Sequence, residues 1–317
     1  MKILVTGGAG FIGSNVVDAY IDAGHEVIIV DNLSSGKKEN INPKARFIEC
    51  DIRSSEMRDI INGQSPDIIN HHAAQISVPA SVDDPLFDAD INIKGFLNVM
   101  EGVKAEGKGK VIFISSGGAI YGEATEYPTT ENYPPIPLSP YAVTKEVAEK
   151  YLRYYNHQFG IDYTVLRYAN VYGPRQIPHG EAGVVAIFMD RLLEGMPCTI
   201  NHFEDKPLGM LRDYCYVGDV ARANIAALTR GSLEPCNIGT STPTHTRDLF
   251  NSVYDAIKEA RPDTDSTLAN PASGAVRPGD INQSCLVINK AREVLGWEPQ
   301  VDIKEGIRKT LEWRLSK

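Results

Sequence analysis

The chain is poor in the features that mark secreted, metal-bound or membrane-spanning proteins. Its five cysteines, at 50, 198, 215, 236 and 285, are odd in number and contain no C-x-x-C pair, so neither a disulfide framework nor a zinc site is indicated. Reduced thiols and a cytoplasmic location are the expectation. No apolar run approaches the roughly 18 residues of a membrane span, and the first strand is expected to begin at residue 2, ahead of which a signal peptide has no room. Positive charge is also in deficit, with 32 Lys and Arg against 41 Asp and Glu and a net charge of −9. That balance argues against nucleic acid and anionic membranes as partners. An anionic small ligand remains compatible, because it needs only local positive groups. Internal repeats and low-complexity segments are missing too.

What is present is an ordinary globular composition, 42% hydrophobic and 23% charged over 317 residues, enough for one large α/β domain with a smaller lobe. The N-terminal stretch alternates apolar runs with helical patterns. Ile3–Val5 reads as a strand, Ile12–Ala23 as a helix closed by Gly24, and Val27–Val30 and Phe47–Ile48 as strands. Ser54–Asn62 reads as a helix ended by Gly63. This tempo indicates a parallel sheet with right-handed crossovers.

Between the first strand and helix lies GGAGFIG, residues 7–13, with glycines at 7, 10 and 13. Glycines there permit the backbone to approach a ligand, and the first-turn amides of the helix point at an anion. Taken alone the triplet is equally a bare strand-to-helix bend. Asp31 ends the second strand 18 positions after Gly13, where a carboxylate meets adenosine ribose hydroxyls and repels the 2′-phosphate of NADP. The pair makes NAD the expected ligand. Asp51-Ile52, after the third strand, places another carboxylate near the adenine end or is simply a turn acid.

Ile68–Ile69 reads as the fourth strand and leads to His71, His72, Ala73, Ala74 and Gln75. Two adjacent histidines without a third ligand at metal spacing are packing and hydrogen-bonding residues rather than a metal site. A helix from about 84 to 105 carries Ile93, Phe96, Leu97 and Met100 on one face, for core or for a partner helix. Val111–Ile114 is a strand that stops at Ser115, Ser116, Gly117 and Gly118, where ligands bind in open parallel sheets. After a loop rich in Pro and Glu, Ser139 and Pro140 form an N-cap and first helical position. Tyr141 and Lys145 then stand one turn apart on one helix face. A nearby ammonium and the positive helix terminus both favour the phenolate, so the pair is a candidate general base.

With these residues in place, the sequence resembles the extended short-chain dehydrogenase/reductase family, in its NAD-dependent nucleotide-sugar epimerase/dehydratase branch. The resemblance rests on GGAGFIG at 7–13, DNLSSG at 31–36, HHAAQ at 71–75, Asn92 before Lys94-Gly95, SSGGAIYG at 115–122 and SPYAVTK at 139–145. It continues through RYANVYGPR at 167–175, RDYCYVGDVA at 212–221, RPGD at 277–280 and Leu295-Gly296-Trp297. It implies a Rossmann-type doubly wound parallel sheet, α/β in class, for residues 1–170, completed by about 217–243. A smaller nucleotide-sugar lobe is implied for about 171–216 and 244–317. It implies bound NAD held by Gly7, Gly10, Phe11, Ile12, Gly13, Asp31, Asn32, Ser34, Ser35, Gly36, Asp51 and Ile52. Ala73, Ala74, Gln75, Asn92, Tyr141, Lys145 and Tyr168 complete that set. Asn170, Gly183, Val184, Arg212, Arg277 and Asp280 would line a UDP-sugar site, with the arginines gripping diphosphate.

The chemistry so implied is 4-epimerisation of a UDP-hexose through a 4-keto sugar, with Tyr141 as base and Lys145 holding the nicotinamide ribose. Two positions depart from the family pattern. The third residue of the serine run, usually Ser or Thr, is Gly117, so Ser116 or a water in the space left at Gly117 is expected to replace the hydroxyl. Ser284 stands where a large aromatic commonly excludes N-acetyl sugars, which implies that UDP-N-acetylglucosamine is accepted. Gly118 and Ala119 stand where dehydratases and decarboxylases carry acids, which disfavours both. A UDP-glucuronate 4-epimerase and a non-catalytic NAD sensor are the remaining alternatives. A homodimer through helices at about 84–105 and 140–158 is implied, with Tyr151, Leu152 and Tyr155 as candidate contacts.

Overall fold

Each apolar run of the N-terminal half becomes a strand. The structure, a computed structural model, describes residues 1–178, 183–276 and 280–317; Arg277 lies outside the described residues. In chain order the first elements are β1 (Lys2–Thr6), α1 (Phe11–Asp22), β2 (Glu26–Asp31), β3 (Arg46–Glu49), α2 (Glu56–Gln64) and β4 (Ile68–His71). Then come α3 (Val78–Asp83), α4 (Pro85–Ala89), a π-helical turn (Asp90–Gly95), α5 (Phe96–Glu106), β5 (Lys110–Ser116), α6 (Pro140–Phe159) and β6 (Asp162–Tyr168). The remainder is β7 (Asn170–Tyr172), α7 (Val184–Leu193), β8 (Thr199–His202), β9 (Leu211–Tyr216), α8 (Val217–Ala227) and β10 (Glu234–Ile238). It closes with β11 (Pro243–His245), α9 (Thr246–Ala260), β12 (Ala272–Ala275), β13 (Gln283–Ser284) and α10 (Ile303–Leu315).

Seven strands form one parallel sheet in the order β10-β6-β5-β4-β1-β2-β3. Chain order reverses between β1 and β4, and the crevice beyond the C-terminal ends of these two strands is where such sheets bind ligands. Both faces are apolar, as a parallel sheet requires. On one face Ile3 and Val5 meet Val16, Val17 and Tyr20 of α1 and Val220 and Ala223 of α8. On the other, Leu4 and Phe113 meet Met57 and Ile61 of α2, Val99 and Val103 of α5, and Leu152 of α6.

A second core gathers Tyr172, Phe188 and Met189 with Leu249, Phe250, Ile307 and Leu311, joining β7 and α7 to α9 and α10. The tail is shared between the two cores. Ile288, Ala291, Leu295 and Trp297 belong to the parallel-sheet core, and the Trp297 indole donates to the Asp219 carbonyl at 2.9 Å.

Three expectations need correction. Helix α2 runs through Gly63 and stops at Ser65, which adopts the left-handed conformation; Pro66 follows and cannot extend a helix. The single helix expected over 84–105 is interrupted, because Asp84 caps α4 through its bond from the Phe87 amide and residues 90–95 form the π turn. Leu152 and Tyr155, expected on a dimer face, are 1% and 3% exposed within the single chain. Leu152 packs in the core, the Tyr155 hydroxyl donates to Glu101 at 2.7 Å, and Tyr151 leans on the same cluster. Truncating such a core leucine leaves a cavity. Leu152→Ala is therefore expected to lower the unfolding free energy by about 2–5 kcal/mol in denaturant titration, without a specific change in subunit association.

Candidate active site

At the end of β1 the chain must turn into α1 within a few residues while passing next to the strand beside it. Gly7 has φ +70°, and a Cβ there would stand 2.6 Å from the Ala73 amide nitrogen. On Gly13 a Cβ would lie 2.3 Å from the Gly7 carbonyl oxygen. Neither position accepts a side chain without displacing backbone. Gly10 is the N-cap of α1 and brings no side-chain acceptor, so the first-turn amides are left for an anion. Asp31 closes β2 directly opposite. One carboxylate oxygen accepts from the Ala9 amide at 3.0 Å and the other from Leu33 at 2.8 Å. Burial raises the Asp31 pKa, against the lowering effect of these two backbone bonds. Each oxygen keeps a lone pair free for a ligand hydroxyl. Asn32 donates to Asp51 at 2.9 Å, and Asp51 is held well below the usual carboxylate range by its bonds from Arg53.

The second half of the site sits at the ends of β5 and β6 and the start of α6. Ser139 caps that helix, accepting from the Ala142 amide, with Pro140 at its first position. Tyr141 follows, and Ser116 at the end of β5 hydrogen-bonds its phenol. The Lys145 ammonium donates to the Ile114 carbonyl at 2.9 Å. It lies 5.1 Å from the Phe113 ring centre and 5.9 Å from that of Tyr141. The expected lowering of the Tyr141 pKa is not what this packing produces. Burial pushes the phenol up to about 12, the Ser116 bond only partly opposing it. Burial likewise pulls Lys145 down to about 8, against the raising effect of Asp88 and Glu149. Desolvation outweighs the helix terminus here, with Lys145 buried and Tyr141 half-buried in the cleft wall.

A single cleft of about 410 Å³ joins the two halves. Of the expected NAD residues, Gly7, Gly10, Phe11, Ile12, Gly13, Asp31, Asn32, Ser34, Ser35, Asp51 and Ile52 line it. Ala73, Ala74, Tyr141, Lys145 and Tyr168 do so as well, with Ser116, Asn170, Gly183 and Val184 beside them. Gly183 is the N-cap of α7, at φ 85°.

Residues 3–239 match the NAD dependent epimerase/dehydratase family. The chain belongs to that family. It is similar to the UDP-glucose 4-epimerase of Thermotoga maritima, solved with UDP-glucose, at 47% identity and TM-score 0.92, covering 100% of this chain and 99% of that one. The Thermus thermophilus UDP-glucose 4-epimerase complex with NAD is 43% identical with TM-score 0.89 over 99% of each chain. The UDP-glucose 4-epimerase of Mycolicibacterium smegmatis is 43% identical over 99% of this chain and 98% of its own.

Membership of an NAD-dependent family calls for a dinucleotide site, and the residues present fit one. The glycine cradle would be filled by any Cβ, and two buried atoms in the cleft wall, His72 Nε2 and Asn170 Oδ1, have no protein partner. His71, by contrast, is committed to the core. Its Nδ1 meets the Thr6 hydroxyl at 2.8 Å, and its ring packs against Phe96 and Phe113. Both histidines are held neutral, burial lowering each to about 3.

Several expected epimerase-family contacts take other positions. Gln75 and Asn92 stand outside the cleft lining and brace it. Asn92 Oδ1 accepts from the Gln75 amide at 2.9 Å, and its Nδ2 donates to the Gln75 carbonyl and to Asp88 at 3.0 Å each. Gly36 is also off the lining. A Cβ there would stand 2.8 Å from an Asp31 carboxylate oxygen, so it spaces the loop behind that residue. Arg212, on β9, donates to the Leu211, Ile281 and Asn282 carbonyls. Asp280 begins the segment leading to β13. Ser284 is buried in β13 opposite Arg212 and is not among the described lining residues. At Gly117 a Cβ would meet the end of the Leu286 side chain at 2.6 Å, so the tail packs against this position, while Ser116 beside it lines the cleft.

Sequence reasoning missed Lys37, Asn40, His72, Arg175 and Gln176, which also line the cleft. Arg175 lay inside a quoted motif; its guanidinium pairs with Asp18 of α1 at 2.6 Å, a contact that only the fold reveals.

The lowered Lys145 pKa has a stability consequence. Below about pH 8 the native state carries the cost of a buried ammonium. Between about 8 and the ordinary 10.5 the native state has released that proton while the unfolded chain still holds it, so stability rises with pH. Lys145→Met lacks this rise. Relative to wild type it is expected to be more stable at pH 7, by up to about 3 kcal/mol, with the difference closing by pH 10.5 in paired denaturant titrations.

Proposed function

We propose that the protein inverts carbon 4 of a UDP-hexose, interconverting UDP-glucose and UDP-galactose with NAD retained through turnover. The observation that carries this reading is the convergence of Tyr141, Ser116 and Lys145 on the same cleft as the glycine turn and Asp31. NAD, when bound, supplies a positively charged nicotinamide that takes a hydride from carbon 4 and later returns it. Tyr141 Oη accepts the 4-hydroxyl proton and gives it back to the 4-oxygen, and the Ser116 hydroxyl orients that exchange through its bond to the phenol. Lys145, fixed by the Ile114 carbonyl, holds the nicotinamide ribose and places a cation beside the base. A phenol pushed up to about 12 is protonated at neutral pH, so proton abstraction depends on positive charge gathered around it. The base is thereby active only when the cleft is loaded.

Asn170, Gly183 and Val184 form the sugar-nucleotide wall of the cleft in this reading. Arg212, Arg277 and Asp280 are assigned to the UDP moiety on their motif positions. Residues 1–170, completed by about 217–243, form the NAD domain, and the core around α7, α9 and α10 forms the sugar-nucleotide lobe. Acceptance of UDP-N-acetylglucosamine rests on the motif position of Ser284 alone, because that residue is buried in β13 off the described cleft lining. A dehydratase or decarboxylase reading lacks its acids at Gly118 and Ala119. Five buried, unpaired thiols support a cytoplasmic setting.

The decisive assay incubates the purified protein, without added NAD, with UDP-galactose, UDP-N-acetylglucosamine and UDP-glucuronate. Conversion of UDP-galactose to UDP-glucose is expected. Tyr141→Phe should lose at least about a hundredfold in kcat while keeping bound NAD; full activity in that variant overturns the reading, and no turnover of any sugar favours a sensor.

A homodimer completes the proposal. Val82, Leu86 and Phe87 on α3 and α4 are 53%, 82% and 48% exposed, and Val143 on the adjoining α6 is 42% exposed. Apolar side chains clustered on packed elements are suited to a second copy of the same face. Sedimentation should give about twice 34.8 kDa, and Leu86→Arg should give monomers; a monomeric wild type at micromolar concentration would remove the dimer.

A further inference from the structure

One turn beyond Lys145 on the same face of α6 stands Glu149, and it is 5% exposed. Buried carboxylates are costly unless fully partnered, and this one is. One oxygen accepts from the Ser115 hydroxyl at 2.6 Å and from Arg167 Nε at 3.1 Å; the other accepts from Arg167 Nη2 at 2.6 Å. Arg167, 3% exposed on β6, sends Nη1 to the Tyr121 hydroxyl at 2.8 Å. Tyr121 donates onward to Asn237 of β10 at 2.9 Å. The carboxylate is thus locked between helix and sheet, and each partner is locked in turn.

Two properties of this arrangement reach the reacting end of the cleft. Ser115 precedes Ser116, so the bond from Ser115 to Glu149 ties the end of β5 to α6 at the point where Ser116 meets Tyr141. Glu149 also lies one helical turn from Lys145. We propose that Glu149, anchored by Arg167, is a positioning residue for the reaction, holding the Ser116 end of β5 against α6 and keeping the Lys145 ammonium charged beside Tyr141. This rests on the epimerase reading above and names a group outside the cleft on which that reading depends.

The charged and titratable groups facing Lys145 are few. From α4 comes Asp88, whose two oxygens accept from Gln75, Asn92 and Thr144. From the end of β4 comes His71 and from just beyond it His72, both neutral; from α6 come Tyr141 and Glu149. Burial pulls Lys145 down to about 8, and Asp88 and Glu149 are the two charges that oppose it. Neutralising Glu149 removes one of the two.

The test uses Glu149→Gln in the full chain with two measurements. The first is kcat and KM against pH on UDP-galactose. The alkaline limb of kcat should move down by about one pH unit, about tenfold in kcat on that limb, with KM changed less than twofold. The second needs neither cofactor nor sugar. Acetic anhydride labelling of Lys145, read by mass spectrometry at pH 7, should be about fivefold faster as the neutral amine becomes more abundant. Glu149→Asp, which keeps the charge, should restore the labelling rate. Removing one partner of a buried pair leaves an uncompensated charge, so if the single variant does not fold, Glu149→Met with Arg167→Met carries both measurements and should move in the same direction. An unmoved alkaline limb together with an unmoved labelling rate in a folded variant overturns the proposal. Failure of the epimerase reading shows separately, as full activity in Tyr141→Phe.

Discussion

The site depends first on backbone packed against backbone at the end of β1. Gly7 and Gly13 leave no room for a Cβ, the one against the Ala73 amide and the other against the Gly7 carbonyl. That contact brings the N-terminus of α1 down to the end of β4, and so opens the crevice where strand order reverses. Asp31 secures the arrangement from the opposite side, because its carboxylate holds the Ala9 amide of the same turn. A residue expected only to meet a ligand also shapes the loop that receives it.

From that crevice the second half of the site follows through desolvation. The Tyr141 phenol and the Lys145 ammonium are both weak acids in water, with ordinary pKa values of 10.0 and 10.5. Burial moves the phenol to about 12 and the ammonium to about 8, which inverts their order and makes the neutral pair favourable when both are dry. The cluster of carboxylates around Lys145, Asp88 on α4 and Glu149 on α6, resists that neutralisation. In the proposed reaction, reactivity is then governed by the charge that enters the cleft, and the energetic cost of burying these two groups is borne by the apolar cores on either side of the sheet.

Legibility in the sequence followed the range of the interaction. Gly7, Asp31, Tyr141 and Lys145 were readable because their roles come from spacing within one turn or one βαβ unit, and all four line the cleft. Asn92 and Gln75 sit in matched motifs yet act as braces, since their partners, Asp88 and each other, are close only through the π turn. Leu152 and Tyr155 carry an apolar face that suits a partner helix as well as a core; the sheet beneath α6 decides for the core. Gly117 was the least legible. The hydroxyl missing there pointed to Ser116 or a water, and nothing local in the sequence signals that Leu286 packs against this position from far along the chain.

Leu286 also shows how the tail of the chain enters the catalytic end of the sheet. Its amide and that of Ser241 bond to Asp213, which is wholly buried and takes further bonds from Thr240. Thr129, in the loop before α6, pairs in turn with the segment around Leu286, through its amide to the Cys285 carbonyl at 2.9 Å. Asn237 donates to both the Thr129 and Val287 carbonyls and accepts from Tyr121. Segments near 129, 213, 237 and 286 therefore meet, and from them the Leu286 side chain packs against Gly117, the residue after Ser116. The side chain that glycine lacks at position 117 is thus answered by a leucine from the tail, an apolar contact just beyond the end of β5.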